Sequence, residues 1–265
     1  MKCMKKREKF LKKTREKIVQ ALSGRDIFLS KYSSTVEELD QIINILGERL
    51  EDMFNLYCGD LEVREKEKYA KIVLLSDKTQ IDQKELSKIF GSAKSNQILN
   101  KLRLENIKQE DLDQCKIFAQ EILKLCTLRE ESEKNIEIIC EDVCPNMAYV
   151  CSAKIAAKLI SHVGGLQDLA LLPASTIQVL GAEKALFKHL KNKRIKPPKH
   201  GIIFQYPKIA NSPKKIRGKI SRTLAAKIAS AAKADAFTKR FIAENLKKEF
   251  DERVEKLLNQ PKSDR

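Results

Sequence analysis

The chain has 265 residues, 42% of them hydrophobic, which is enough apolar material to pack one or two domains. Length and composition therefore exclude a disordered tail and a miniprotein held together by disulfides. The 52 lysines and arginines against 36 acidic residues give a net charge of +16, which makes a polyanion such as nucleic acid the first partner to consider.

The sequence shows no membrane-targeting pattern. No 18 consecutive residues are apolar, and residues 1–14 lack the apolar segment of a signal peptide. We therefore expect a soluble protein that is not exported and does not use a membrane as its partner.

Residues 1–22 predict a basic amphipathic helix. Its apolar residues are Phe10, Leu11, Ile18, Val19 and Leu22, and they are separated by many lysines and arginines. We expect this helix to pack on the base of the hairpin that follows. Binding to a membrane surface is the alternative.

Residues 23–145 contain two long apolar stripes. Ser34 with Glu37, and Thr35 with Glu38, fit the S/T-x-x-E capping box and predict that a helix begins here. The stripe that follows has helical spacing and consists of Val36, Leu39, Ile42, Ile43, Leu46, Leu50, Met53, Phe54 and Tyr57. The second stripe consists of Leu112, Cys115, Phe118, Ile122, Leu125, Ile136 and Ile139.

These stripes bury each other most simply in an antiparallel helical hairpin over 23–145, with a small distal tip near 60–110. A two-helix seam rarely covers every apolar position of both helices. Apolar residues left exposed would favour self-dimerisation.

The seven cysteines are an odd number and fall within helical patterns, which is a poor disulfide framework and indicates a reducing compartment. Cys140, Cys144 and Cys151, with His162, could be ligands of a metal, but their spacing lacks the C-x-x-C pairs of a structural zinc site. Buried free thiols are the preferred interpretation.

Positive charge is concentrated in residues 184–240. This window holds seventeen lysines and arginines against one acid, Asp235, so its charge equals the +16 of the whole chain and the remainder sums to zero. Proline is absent before Pro145 and frequent after it, which predicts long helices first and short, interrupted helices later. Such asymmetry is typical of a binding domain attached to a neutral scaffold.

Within this basic half, a helix is predicted to open directly after Gly181 and to carry Lys184 in its first turn. Free amides and the positive end of the helix dipole attract phosphate. Phe187 can anchor this helix or stack on a base. Residues 191–200 hold five basic residues and Pro197-Pro198, which predicts a stiff, charged, projecting loop.

The three histidines receive different interpretations. His200 follows Lys199 in the basic loop, where it could contact an unpaired base or simply be solvated. His162 and His189 lie on apolar helical segments and are interpreted as structural. A final helix is predicted from Arg217 to Phe237, with its apolar face inward and its basic residues outward.

The sequence contains none of the common catalytic motifs: no G-x-x-x-x-G-K-[ST], no H-E-x-x-H and no G-x-S-x-G. We therefore expect a protein that is not an enzyme and that needs neither a cofactor nor a metal.

Several segments of the chain resemble a known family. The segment GAEKALF at 181–187 with its flanks from Gly164 to Lys188, the segment 196–201 and the segment 217–220 look like the Nop domain. The resemblance is to the archaeal core protein of box C/D small ribonucleoproteins, with nucleolar and spliceosomal relatives. Residues 23–26 and 48–50 resemble the coiled-coil domain of the same family.

The resemblance implies an all-α fold, with a coiled-coil hairpin followed by a compact helical Nop domain over residues 146–260. It implies a non-enzymatic scaffold that binds a kink-turn guide RNA together with a small protein of the ribosomal L7 type, and that pairs with a second copy through the hairpin. The residues expected to meet RNA and that protein are Gly181, Ala182, Glu183, Lys184, Phe187, Lys188, Lys199, His200, Arg217, Lys219 and Arg222. The location implied is cytoplasmic in an archaeon and nucleolar or nuclear in a eukaryote.

The sequence departs from the pattern of the family at two places. Lys188 stands where many relatives have arginine, and lysine lacks the planar fork that binds phosphate through two hydrogen bonds. Family members also usually carry an N-terminal domain that holds a fibrillarin-type methyltransferase. Because this chain starts almost at the hairpin, the resemblance does not by itself imply recruitment of that enzyme.

The sequence is also compatible with three other functions. They are a spliceosomal-type Nop assembly factor, an architectural DNA-binding protein that uses the same basic residues, and a helical adaptor that dimerises and carries its charge incidentally.

Overall fold

The computed structural model describes Thr14 and residues 24–77, 83–102 and 107–259. These residues form thirteen α-helices and no strand, which confirms the all-α prediction. The predicted helix at 1–22, apart from Thr14, and Cys3 lie outside the described residues. None of the described helices is long and apolar enough to cross a bilayer.

The chain divides into two compact units. We call residues 35–132 the hairpin unit, and the remainder, residues up to 34 together with those from 133 onward, the head unit. Helices α1 (Arg25–Cys58) and α5 (Gln109–Val143) contribute to both units.

In the hairpin unit, α1 and α5 run antiparallel. The Tyr57 hydroxyl donates to Asp111 over 3.0 Å, and the Arg129 guanidinium donates to Asp40 over 3.3 Å. Between these contacts, side chains of both helices share one apolar core, and they include Leu50, Phe54, Leu112, Ala119 and Ile122. The two apolar stripes therefore bury each other, as the sequence predicted. Ile42 and Phe118 are exceptions, because they are 43% and 37% exposed.

Three shorter helices complete this unit: α2 (Lys66–Leu75), α3 (Gln83–Phe90) and α4 (Ser92–Lys101). Lys66 pairs with Glu51 of α1 over 2.6 Å. Its aliphatic stem passes over Gly47, where a Cβ atom would lie only 2.7 Å from it. Gly47 thus provides the space in which α2 approaches α1.

The predicted helix start at Ser34 and Thr35 is wrong, because α1 begins at Arg25 and both residues lie inside it. The Ser34 hydroxyl donates to the Ser30 carbonyl one turn earlier, over 3.2 Å, and also bonds the Ser161 hydroxyl over 2.8 Å. A serine whose hydroxyl is satisfied in this way can stay within a helix, so a capping-box pattern alone does not fix a helix end.

The head unit contains the end of α5 and eight further α-helices. They are α6 (Pro145–Cys151), α7 (Ala153–Val163), α8 (Leu166–Leu171), α9 (Ala174–Val179), α10 (Glu183–Lys191), α11 (Pro207–Ala210), α12 (Arg217–Lys233) and α13 (Ala243–Leu258). A 3₁₀ turn covers Ile202–Gln205 and a π turn covers Ala234–Thr238. Helix α12 is central, because its buried face packs against α6, α8, α9 and α13.

The predicted final helix from Arg217 to Phe237 is confirmed as far as Lys233, after which the chain continues as the π turn. Helix α13 was not predicted. Its buried residues Phe250, Val254 and Leu257 have helical spacing and could have revealed it.

Asp235, the one acid of the basic window, is 1% exposed and holds the start of α6. Its carboxylate accepts hydrogen bonds from the backbone amides of Asn146 and Met147 and from the Asn146 side chain, over 2.7–3.1 Å. Burial raises the pKa of Asp235, and these three donors oppose that effect. The carboxylate therefore caps α6 from inside the core.

The six described cysteines, Cys58, Cys115, Cys126, Cys140, Cys144 and Cys151, are buried free thiols, as preferred from the sequence. Burial raises the pKa of Cys58 to about 12 and also raises that of Cys151. Among the described residues, no three His, Cys, Asp or Glu side chains are arranged to hold a metal ion.

Candidate RNA-binding surface

The candidate surface, which we call the head surface, comprises residues 181–188, the loop 191–200 and the start of α12. Its first part is the turn between α9 and α10. Gly181 has a positive φ of 82°, and a Cβ atom there would lie 2.7 Å from Cγ1 of Ile202. Both the backbone conformation and the close approach therefore require glycine.

Glu183 holds this turn. One oxygen of its carboxylate accepts the Gly181 amide over 2.7 Å and lies 2.8 Å from Nε2 of His162. Partial burial raises the pKa of Glu183, but the bonds from its own and the Gly181 amide and from His162 outweigh burial, so the pKa is lowered overall. The Gly181 amide is therefore bonded within the chain and is not free to bind a phosphate.

The basic loop is fastened to α9 on its return. The Gln178 side chain donates to the Lys199 carbonyl over 2.7 Å, and the Gly201 amide donates to the Gln178 carbonyl over 3.0 Å. The Ile202 amide then donates to the Leu180 carbonyl over 2.7 Å. These bonds place the end of the loop beside the Gly181 turn.

His200 stacks on Phe204, with ring centroids 4.4 Å apart and planes 17° apart. The Arg217 guanidinium lies 5.5 Å from the centre of the same phenylalanine ring. Burial lowers the pKa of His200, and the positive charges of Arg217 and Lys199 lower it further. This arrangement favours a neutral imidazole on a fixed aromatic support.

Arg217 contributes to the fold through hydrogen bonds as well as carrying a positive charge. Its side chain donates to the carbonyls of Ser212 and Ala210 over 2.8 and 3.0 Å, which satisfies the C-terminal end of α11. It is only partly exposed. We therefore assign Arg217 to holding Phe204 and the end of α11 in place, while its predicted contact with RNA remains a prediction.

Lys199 connects the loop to α12. Its aliphatic carbons lie 3.4–3.7 Å from the position of a Cβ atom on Gly218, so the loop lysine runs along the first turn of the helix. Lys219 follows there and is exposed, as is Arg222 further along α12. The contacts thus bring Gly181, Lys199, His200 and Arg217 into one region.

The cations of this region are not neutralised within the chain. In the part of the sequence that the structure describes, no acidic side chain pairs with Lys184, Lys188, Lys199, Lys219 or Arg222. By contrast, Lys208 and Lys227 of the same basic window pair with Asp251 and Glu249 of α13. These five cations therefore remain available to an anionic ligand.

Helix α10 packs weakly and has no buried residue. Phe187 is 60% exposed and Leu190 is 53% exposed, so Phe187 does not anchor the helix in the core. His189 bonds the Ile195 carbonyl through Nδ1 and ties the loop to α10. His162 and His189 are therefore both engaged within the fold, in agreement with their structural interpretation.

Sequence reasoning missed Gln178, Phe204 and the role of His162. Phe204 lies four residues after His200 in a short apolar run, which was a usable signal for an aromatic support. The partners of Gln178 and His162 lie 21 residues away in each case, and no local pattern indicates such pairs.

Known proteins are similar to this chain over most of its length. The family model described as "Nop: snoRNA binding domain, fibrillarin" matches residues 35–256. An uncharacterized NOP5 family protein of Methanocaldococcus jannaschii is 36% identical over 250 residues, which cover 92% of this chain and 60% of that protein. Nucleolar protein 56 of Schizosaccharomyces pombe is 33% identical over 236 residues, covering 85% of this chain and 47% of that protein.

A solved structure is also similar. The crystal structure of a fibrillarin/Nop5p complex contains a chain with a TM-score of 0.58 and 29% identity, covering 95% of this chain and 77% of that one. The chain spans about half the length of the curated relatives named above. With a family model matched over most of its residues, this chain belongs to the Nop family.

Proposed function

We propose that this protein is a non-enzymatic scaffold of a box C/D-type ribonucleoprotein that guides RNA 2′-O-methylation. In this role it binds a kink-turn RNA together with a small protein of the ribosomal L7 type, and it pairs with a second copy through the hairpin unit. The observation that carries the proposal is the head surface, where exposed, unpaired cations lie beside a fixed histidine and a glycine turn in a chain of the Nop family.

The chemistry of the head surface suits folded RNA. Lys184, Lys199 and Lys219 can each neutralise a phosphate, and such contacts supply most of the sequence-independent affinity. His200 and Phe187 offer an imidazole and an exposed phenyl ring on which unpaired bases can stack.

Self-pairing is supported by apolar residues that the hairpin unit leaves uncovered. Ile45 and Leu56 on α1 are 57% and 81% exposed, and Ile117 and Leu128 on α5 are 50% and 48% exposed. In each pair the residues are eleven positions apart, about three helical turns, and so lie on one face. Such faces are candidates for association between copies.

Similarity to known proteins also suggests further components of the ribonucleoprotein. The solved neighbour comes from a complex with fibrillarin, so we propose a fibrillarin-type methyltransferase as a further component. Nucleolar relatives and an archaeal relative support a nucleolar location in a eukaryote and a cytoplasmic location in an archaeon.

A gel-shift titration of kink-turn RNA, with and without an L7-type protein, tests the proposal. The triple variant Lys184→Ala, Lys199→Ala and Lys219→Ala should weaken the ternary complex by roughly a hundredfold, since three phosphate contacts are lost. The control triple, Lys108→Ala, Lys134→Ala and Lys248→Ala, removes the same charge from exposed sites elsewhere and should leave affinity nearly unchanged.

Two results would contradict the proposal. Equal losses in both triples would show that net charge alone drives binding. Equal affinity for duplex DNA and kink-turn RNA would favour an architectural DNA-binding protein instead.

A further inference from the structure

A groove of about 350 Å³ lies in the head unit and differs in chemistry from the head surface. Glu137 and Glu141 of α5, Tyr149 of α6 and Phe241 line it, with small residues between them. Tyr149 and Phe241 are 51% and 54% exposed, and their rings meet edge to face with centroids 5.8 Å apart. Two carboxylates therefore flank an accessible pair of aromatic rings.

The aromatic wall is fixed by the buried polar network of Asn146. The Asn146 side chain donates to the Arg240 carbonyl over 2.9 Å and accepts the Ile242 amide over 2.6 Å, so the backbone is held on both sides of Phe241. Asn146 is itself held by the buried carboxylate of Asp235 over 2.7 Å. The groove is thus preformed, which lowers the entropic cost of binding.

The carboxylates of the groove are available to a ligand. Among the described residues, neither Glu137 nor Glu141 has a basic partner, and no basic residue lines the groove. The neighbouring cation Lys154 already pairs with Glu133 over 2.6 Å. In a chain with a net charge of +16, this is a local acidic site that would repel RNA phosphates.

We propose that this groove binds an arginine side chain carried by a basic, flexible segment of a partner protein. A guanidinium can lie against the aromatic rings while donating to carboxylates, and it does both better than a lysine ammonium. The volume is at the small end of ligand pockets, about 300–1,000 Å³, so it fits one long side chain and its neighbours. This site is separate from the proposed RNA-binding function.

Fluorescence anisotropy with the full chain and a labelled (Gly-Arg)₄ peptide tests this proposal. We expect saturable binding that is several-fold weaker for (Gly-Lys)₄ and lost when citrulline replaces arginine. The variant Glu137→Gln with Glu141→Gln should weaken binding by roughly tenfold or more. The control Glu130→Gln with Glu131→Gln removes the same charge from exposed positions of the same helix and should have no effect.

Phe241→Ala tests the contribution of the aromatic rings separately from that of the carboxylates. This variant should also weaken peptide binding by about tenfold. Tyr149→Phe, which keeps the ring, should bind normally and controls for folding. Kink-turn RNA affinity should be unchanged in every groove variant, so failure here is distinct from failure of the RNA-binding proposal.

Several outcomes would overturn the proposal. They are equal binding of the citrulline peptide, equal losses in both glutamate pairs, and a parallel loss of RNA affinity. A further one is tighter peptide binding when glutamine replaces the basic residues between 2 and 17 of the full chain. That result would identify the chain's own basic segment as the occupant.

Discussion

Gly201 directly follows the loop of the head surface, and its surroundings leave no room for a side chain. A Cβ atom there would lie 1.8 Å from the Leu180 carbonyl oxygen, and that oxygen is fixed by its bond from the Ile202 amide. Gly201→Ala must therefore displace backbone, and we expect a loss of about 2–3 kcal/mol in the free energy of unfolding, measured by chemical denaturation.

Gly218→Ala is the matched control for that prediction. Its added methyl would meet the flexible stem of Lys199 at an ordinary 3.4 Å, and alanine favours the helix. Its stability should be unchanged or raised by up to about 1 kcal/mol. A Gly201→Ala protein as stable as this control would show that the loop is not fastened to α9 as described.

His200 gives the head surface a dependence on pH. Because burial, Arg217 and Lys199 lower its pKa, the native state binds the imidazole proton less readily than the unfolded chain does. The stabilisation from neutral His200 is therefore complete above an unfolded-state pKa of about 6.5 and declines as the pH falls below it. The His200 ring signal in an NMR titration should have its midpoint below that value.

Lys199→Gln should raise this midpoint, since it removes one of the two neighbouring charges, whereas Lys108→Gln should leave it in place. Arg217 is unsuitable for the test because it also holds α11. A midpoint at or above 6.5 in the unmodified protein would contradict the geometry of the stacked, charge-flanked ring.

The long helices of the hairpin unit expose apolar faces that predict self-association. Ile117→Lys with Leu128→Lys should convert the associated form to a monomer in sedimentation equilibrium, because two ammonium groups would lie in an apolar contact. Glu130→Lys raises the net charge by the same two units on the opposite face of α5, and this variant should stay associated. Equal dissociation by both would point to repulsion between whole chains.

Long helices were predictable because their period repeats many times. The stripes from Val36 to Tyr57 and from Leu112 to Ile139 fall in α1 and α5 as expected. The predicted start of α1 was wrong because the Ser34 hydroxyl bonds a carbonyl one turn earlier inside the helix. Helix α13 was not predicted, although Phe250 and Val254 have helical spacing. Boundaries depend on individual hydrogen bonds, which periodicity does not report.

The sequence predicted the charge and the glycines of the candidate site, but it did not predict the structural role of each residue. Sequence placed Gly181, Lys199 and His200 on the binding surface, and contacts bring them together. It could not show that Glu183 caps the Gly181 turn or that Phe204 supports His200, because these depend on distances rather than on residue type.

The net charge of the chain, +16, equals that of residues 184–240 alone. The salt dependence of RNA binding can therefore distinguish direct phosphate contacts from diffuse attraction to the whole protein. If roughly five phosphates are neutralised, a plot of the logarithm of the RNA association constant against the logarithm of the salt concentration should fall with a slope of about 3.5–4.5. The Lys184, Lys199 and Lys219 triple variant should lower this slope by about 2–3, measured by filter binding at several salt concentrations.

The Lys108, Lys134 and Lys248 triple reduces net charge equally, but its residues lie outside the basic window, so its slope should match that of the unmodified protein. Counterions are released only where a cation meets a phosphate. Equal reductions of the slope by the two triple variants would mean that RNA contacts the entire protein surface. The concentration of charge in residues 184–240 and the attachment of the loop to α9 would then not determine binding.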